Sequence, residues 1–322
     1  MRGEKVKRNW FLEIILPLTV LLAVMFLSIV CGKAPIDWPN FTADTVFELR
    51  LVRVLGALTV GASLALAGLV LQAVLRNVLA EPFTLGISGG AGVGAALAIV
   101  LDLQVVCIFA VPAMAWAGAL LMLIMVLLIA GNKSSENLLL SGVIGGTAAS
   151  GILMYIVSIA DKEDLASISW WMLGDLQSVD AVLLICAMIF TLAAAVVFRF
   201  FARELNAVSM GPEMAWSMGV NSRFFSSLFI VTASLLAAQT VALAGIIAFA
   251  GLIVPHLVRM CYGSDHKCTV WPTALWGGAF LIICDWLSRM VHKVHELPIG
   301  VLTAAVGGTL FIYILNRRRS SL

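Results

Sequence analysis

The sequence predicts an all-α integral membrane protein with about ten transmembrane helices. Three observations carry this: 61% hydrophobic residues against 12% charged, a mean hydropathy of +1.05, and long apolar runs recurring from end to end. A soluble domain carries about 25% charged residues, and an apolar run of about eighteen or more residues is long enough to cross a bilayer. No polar stretch among the 322 residues is long enough to fold alone, so a single transmembrane domain over 1–322 is expected. The net charge of +2 points to no nucleic acid or other charged partner.

The first apolar run, Trp10 to Cys31, follows the basic residues Arg2, Lys5, Lys7 and Arg8. It is too long for a signal segment and lacks a cleavage site, so it reads as a retained helix. A polar loop, Gly32 to Glu48, leads to a second helix over Leu49 to Leu75. A glycine-rich third helix follows over Gly86 to Val100, then a fourth over Val105 to Ala130. After the polar turn Gly131 to Asn137, a fifth helix spans Leu138 to Ala160 and closes at Asp161-Lys-Glu-Asp164. Ile168 to Gly174 is too short to cross and carries Trp170 and Trp171, which suits an interfacial helix at headgroup depth. A sixth helix covers Val179 to Phe201.

The stretch Arg203 to Arg223 interrupts the apolar pattern. Inside it, Pro212 to Met218 reads as a short helix, with proline in its first turn and Gly219 just past its end. Phe224 to Tyr262 is too long for one crossing and too short for two full ones. Gly245, Gly251 and Pro255 punctuate it, which predicts one full and one short helix joined by a turn within the membrane plane. A ninth helix over Val270 to Val291 and a tenth over Pro298 to Leu315 complete the count.

An even number of crossings puts both termini on one side. With both inside, fourteen of the 20 lysines and arginines are cytoplasmic and six are outside, as the positive-inside rule requires. Arg203 to Arg223 therefore faces the cytoplasm. One internal echo is present: Ala67-Gly-Leu-Val-Leu-Gln-Ala-Val-Leu-Arg76 and Ala250-Gly-Leu-Ile-Val-Pro-His-Leu-Val-Arg259 share their alanine, glycine, leucine and closing arginine. Internal repeats build many transporters.

No residue set suits catalysis. The chain has no His-Glu-x-x-His, no phosphate-binding Gly-x-x-x-x-Gly-Lys loop, and no Cys-x-x-Cys among its six cysteines. It is expected to be a transport subunit rather than an enzyme, binding no cofactor. Any ATP would be used by another chain.

Several ordered motifs carry a family resemblance: Leu49-Arg-Leu-Val-Arg-Val-Leu55, Arg76-Asn-Val-Leu-Ala-Glu-Pro82, Leu85-Gly-Ile-Ser-Gly-Gly-Ala91, Trp171-Met-Leu-Gly174, Gly251-Leu-Ile-Val-Pro-His256, Gly263-Ser-Asp-His-Lys267 and Glu296-Leu-Pro-Ile-Gly300. Together they resemble the FecCD family, BtuC-like permease subunits of type II ABC importers for ferric siderophores, haem and cobalamin. The sequence departs from the family pattern at Val52, Val78 and Gly308-Thr309, positions that bear on local geometry.

The resemblance implies a multi-pass permease in the bacterial inner membrane, surrounded by membrane lipid and paired with a second permease subunit. Two cytoplasmic ATPase subunits and an extracytoplasmic binding protein would complete the importer, with a ferric siderophore as first expectation for cargo, then haem or cobalamin. It further implies that Glu204, Gly211, Pro212, Glu213, Ala215 and Gly219 couple to the ATPase. Arg50, Arg53 and Arg289 would dock the binding protein's glutamates, and Ser134, Ser135 and Glu136 would form a cytoplasmic gate. A lipid contact or a local pair with Asp285, four residues before Arg289, is the competing reading of the arginines. His256 suits a buried hydrogen bond better than a metal, and His292 and His295 with Glu296 lie at the outer face.

Two other classes remain open from sequence. An ion-coupled secondary transporter needs ionisable groups within the membrane, for which only Asp285 is a candidate. A membrane scaffold would not need the ordered motifs.

Overall fold

In the computed structural model the described residues are 11–37, 45–131, 135–177, 179–291 and 296–319, and among them the chain is helical with no strand. A π-helical turn at Phe11–Ile15 leads into α1 (Leu16–Val30), followed by α2 (Thr45–Val74) and α3 (Ile87–Val100). Then come α4 (Leu103–Val106), α5 (Ala110–Ala130), α6 (Ser135–Ile159), α7 (Lys162–Leu173) and α8 (Ala181–Phe200). The remainder is α9 (Ala202–Ser209), α10 (Pro212–Ser217), α11 (Ser222–Ala244), α12 (Ala250–Tyr262), α13 (His266–Val291) and α14 (Ile299–Arg319). Among the described residues, seven helices are long and apolar enough to cross a membrane, and three shorter apolar ones, α3, α12 and Ile299–Phe311 of α14, make ten apolar helices.

The mast is α2. From Thr59 to Val74 every side chain is buried, around the whole circumference, which in a bilayer means protein on every side. It packs chiefly on α13, α11, α12 and α8. Apolar side chains gain nothing by leaving lipid for one another, so close backbone approach has to hold such contacts. A Cβ built on Gly61 would lie 2.2 Å from the Gly277 carbonyl oxygen, and one on Gly277 would lie 2.5 Å from that of Gly61. No side chain fits at either crossing residue. A polar knot adds direction: Gln239 of α11 donates to Ser63 of α2 at 3.0 Å and to Thr191 of α8 at 2.9 Å.

The two echoed segments lie against each other. A Cβ on Gly68 would stand 1.8 Å from the Gly251 carbonyl oxygen. Gln72 donates to the carbonyls of Gly251 and Leu252 at 3.1 and 3.3 Å, and Arg259 donates back to the Gln72 side-chain oxygen. At 1.5 Å rise per residue, α12 is only about 20 Å long, shorter than a bilayer's apolar core of about 30 Å. It starts where α11 ends, at a turn in which Gly245 and Phe249 both hold positive φ, and Glu81 accepts the Phe249 N–H at 2.7 Å. That carboxylate satisfies backbone that lipid could not.

Three sequence expectations are corrected. The fourth helix is broken at Cys107–Phe109, leaving α4 separate from α5. Pro112 has no N–H to donate back to Ile108, so the helix restarts with proline in its first turn. The charged run Asp161 to Asp164 is the start of α7, not a loop closing the fifth helix. Glu163 and Asp164 sit in its first turn, where the helix dipole favours carboxylates. Finally, Arg203 to Arg223 holds two helices rather than one. The missed helix, α9, buries Ala202, Leu205 and Val208, a spacing of three that puts them on one face.

Candidate functional site

Two places concentrate the polar residues of this apolar chain, one at each membrane face. At the end of the bundle expected to face the cytoplasm, α9 leaves the end of α8 and packs on α2, α11 and α13. Its register is locked by Asn206, whose side-chain oxygen accepts the His266 backbone N–H at 3.0 Å and lies 2.6 Å from His266 Nδ1. The Asn206 amide in turn donates to Asp265 Oδ1 at 2.7 Å, and the Lys267 backbone N–H donates to the same oxygen at 2.9 Å. Burial would raise the Asp265 pKa, but these donors, with the Lys267 and His266 charges, outweigh it and hold the carboxyl below its usual range. Gly263 to Lys267 is thus the clasp joining α9 to the start of α13.

From this clasp the chain turns at Gly211, whose φ of +112° only glycine adopts readily, and enters α10 at Pro212. One residue anchors α10: Ala215 is fully buried, packed with Ala207, Val220 and Phe225. The other side chains of α10 are exposed. Trp216 is 82% exposed, and Met214 and Met218 are 46% and 41% exposed. A tryptophan flanked by two methionines and Glu213, on a helix held by one alanine, has the composition of a protein-binding patch.

The six expected coupling residues therefore divide. Pro212, Glu213 and Gly219 are exposed, Glu204 is half-buried, and Gly211 and Ala215 are buried. Gly211 and Ala215 shape and seat α10 rather than present it. Sequence reasoning missed Trp216, Met214 and Met218; their apolar type hides them in a chain where most residues are apolar. Of the expected gate, Ser134 lies outside the described residues, Ser135 begins α6, and Glu136 is exposed in its first turn. His292 and His295 also lie outside the described residues. No group of three or more His, Cys, Asp or Glu able to hold a metal occurs among the described residues, and His256 is buried in α12.

At the outer face, Arg53 donates to Asp285 at 2.8 Å and to Glu296 at 2.7 Å. Glu296 also accepts from Gln177 at 2.6 Å. Arg289 Nε lies 3.1 Å from the second Asp285 oxygen, close enough for attraction but off-line for a hydrogen bond, and its terminal nitrogen donates to Ser28 Oγ at 2.6 Å. Arg50 donates to the carbonyls of Ile29 and Ala34 at 2.7 and 2.5 Å, satisfying the open C-terminal end of α1. Desolvation would raise the Glu296 pKa, yet Arg53 beside it and the Gln177 bond bring it below its ordinary value.

The three arginines expected to dock a binding protein are held within the chain in this geometry. Arg50 and Arg289 are buried at 8% and 7% exposure, and all three guanidinium groups already hold partners within the chain. The physical reason is the medium: a cation near the end of a spanning helix is stabilised by a carboxylate or open carbonyl within reach. Asp285 is fully buried between Arg53 and Arg289, in an ion pair rather than a proton-exchange site.

Comparison with known proteins agrees with this architecture. Residues 19–317 match the model of the FecCD transport family. The vitamin B12 import system permease protein BtuC of Yersinia enterocolitica is 36% identical over 94% of this chain and 91% of its own. That of Salmonella typhimurium is 35% identical over 97% of both chains. A solved structure described as a metal-chelate type ABC transporter in an inward-facing conformation superposes with a TM-score of 0.87 at 28% identity, covering 96% of this chain and 99% of the other. PsaBC from Streptococcus pneumoniae shares the fold at a TM-score of 0.60 and 17% identity. With its ten apolar helices and a match over nearly its full length, this chain belongs to the FecCD transport family, as a BtuC-like multi-pass permease of the bacterial inner membrane.

Proposed function

We propose that this permease carries a metal chelate inward in an ATP-driven importer, with cobalamin as first cargo and ferric siderophore or haem after it. The order departs from the sequence expectation because the relatives sharing 35–36% identity over more than nine-tenths of the chain are vitamin B12 permeases. ATP is hydrolysed by two partner ATPase subunits, and α10 is the element they grip. The single observation supporting this is the seating of α10: Ala215 alone is buried, while Trp216, Met214, Met218 and Glu213 are exposed. A second copy of the permease completes the pathway.

An extracytoplasmic binding protein docks over the outer ion cluster. Among Arg53, Arg289, Asp285 and Glu296 the two cations and two carboxylates balance. A partner's glutamate therefore reaches Arg53 by displacing Glu296, the most exposed of the four, with 32% of its side chain accessible.

The test is reconstitution of the permease with its ATPase and binding protein in proteoliposomes. ATP-dependent uptake of cobalamin, and not of a ferric siderophore or haem, is expected. ATP-dependent uptake of a ferric siderophore alone would replace the cargo but keep the mechanism. Uptake driven by an ion gradient with no ATPase present would end the ABC reading.

A further inference from the structure

Behind α10 lies a cavity of about 1190 Å³, walled by the cytoplasmic ends of α2, α5 and α11 and the start of α6. It is two-natured. Its floor is apolar, formed among others by Leu127, Leu138 and Ile230. Its rim carries Arg76 and Arg223 with the hydroxyls of Ser226 and Ser227, and no carboxylate is among the lining residues. Both arginines are exposed, and neither guanidinium has a hydrogen bond or ion pair among the described residues. This contrasts with Arg50, Arg53 and Arg289, which all have partners within the chain.

Arg76 is held there by the backbone. It ends α2 at a φ of +51°, a left-handed conformation unusual for a residue with a side chain, and its guanidinium sits beside the turn into α10, within 3.3 Å of a Cβ built on Gly211. Such outliers persist where the surroundings over-determine them. The depth is set by topology: α2 and α5 end, and α6 and α11 begin, at the cytoplasmic boundary. The two cations therefore lie at helix ends, where a spanning segment meets the headgroup layer, with apolar wall beside them.

We propose that this cavity binds an anionic phospholipid of the cytoplasmic leaflet. Its phosphate sits between Arg76 and Arg223, the serine hydroxyls donate to phosphate oxygens, and an acyl chain runs along Leu127, Leu138 and Ile230. Basic pockets between transmembrane helices on this side recognise anionic headgroups by this chemistry. A free phosphate would use the rim and leave the apolar floor empty. Pro212, Trp216 and Gly219 form part of the same wall, so the bound lipid braces α10 from behind. Lipid binding itself is independent of whether α10 grips an ATPase.

The test is native mass spectrometry of the full chain, released from micelles doped with equal amounts of phosphatidylglycerol and phosphatidylcholine of matched acyl chains. Retention of phosphatidylglycerol by about ten-fold or more over phosphatidylcholine is expected. Arg76→Gln with Arg223→Gln should abolish the preference, whereas Arg199→Gln with Arg203→Gln, the same loss of charge on the same face, should keep it. Ser227→Trp fills the cavity from an exposed position and should expel the lipid with both arginines intact, which covers the case of a poorly folding double variant. Equal retention of both lipids, equal loss in the two double variants, undiminished retention by Ser227→Trp, or displacement by millimolar inorganic phosphate would each overturn the proposal.

Discussion

The two membrane faces use their polar residues in opposite ways. At the outer face Arg53, Arg289, Asp285 and Glu296 are turned on one another, and Arg50 closes the end of α1. At the cytoplasmic face α10 commits a single buried alanine to the fold and leaves its other side chains outward. One cluster has stability of its own; the other has surface for a partner. The difference teaches that residue type in a permease does not by itself reveal surroundings: the charged Arg50, Arg53 and Arg289 are paired within the chain, and the apolar Trp216 is exposed.

The contrast breaks most readily at its buried end. Asp285→Ala would leave buried Arg289 without a carboxylate and Arg53 with Glu296 alone. Removing one member of a buried ion pair costs about 3–5 kcal/mol, so a large fall in thermal midpoint of the detergent-purified permease is expected. A shift equivalent to less than about 0.5 kcal/mol would mean the outer cluster does not hold the helices together.

Trp216→Ala should do the reverse. Truncating an aromatic anchor of an interface costs about 2 kcal/mol or more in binding, roughly a thirty-fold loss of ATPase affinity measured with reconstituted subunits. The permease's own midpoint should hardly move, because the side chain is 82% exposed. A lowered midpoint with unchanged affinity would make α10 a structural element.

The smallest effect is a pH dependence at Glu296. Its folded pKa lies below the ordinary 4.5, so the stabilisation it gives is complete above that pH and is lost as pH falls through the folded value. With 32% of the side chain accessible, solvent screening limits this to about 1 kcal/mol or less. Acid unfolding curves of the wild type and Glu296→Gln should converge at low pH and separate above 4.5, with the wild type the more stable. Parallel curves would remove Glu296 from the cluster's energetics.

The run of apolar helices and the short α12 were legible because hydrophobic length is a one-dimensional signal. The break at Cys107–Phe109 was legible too, had Pro112 been weighed against the apolar run around it. α9 could be found from the spacing of Ala202, Leu205 and Val208, but eight residues of amphipathic pattern are easily lost beside spanning helices.

Sequence by itself determined the fold class and the succession of apolar helices, since both follow from composition and from patterns local in the chain. Only tertiary structure decided what the polar groups do. Arg53 meets its carboxylates across 232 and 243 positions of sequence, and Asn206 meets Asp265 across 59. In a low-dielectric medium the nearest opposite charge or open carbonyl sets a residue's role, and nearness in space is what the one-dimensional pattern does not carry.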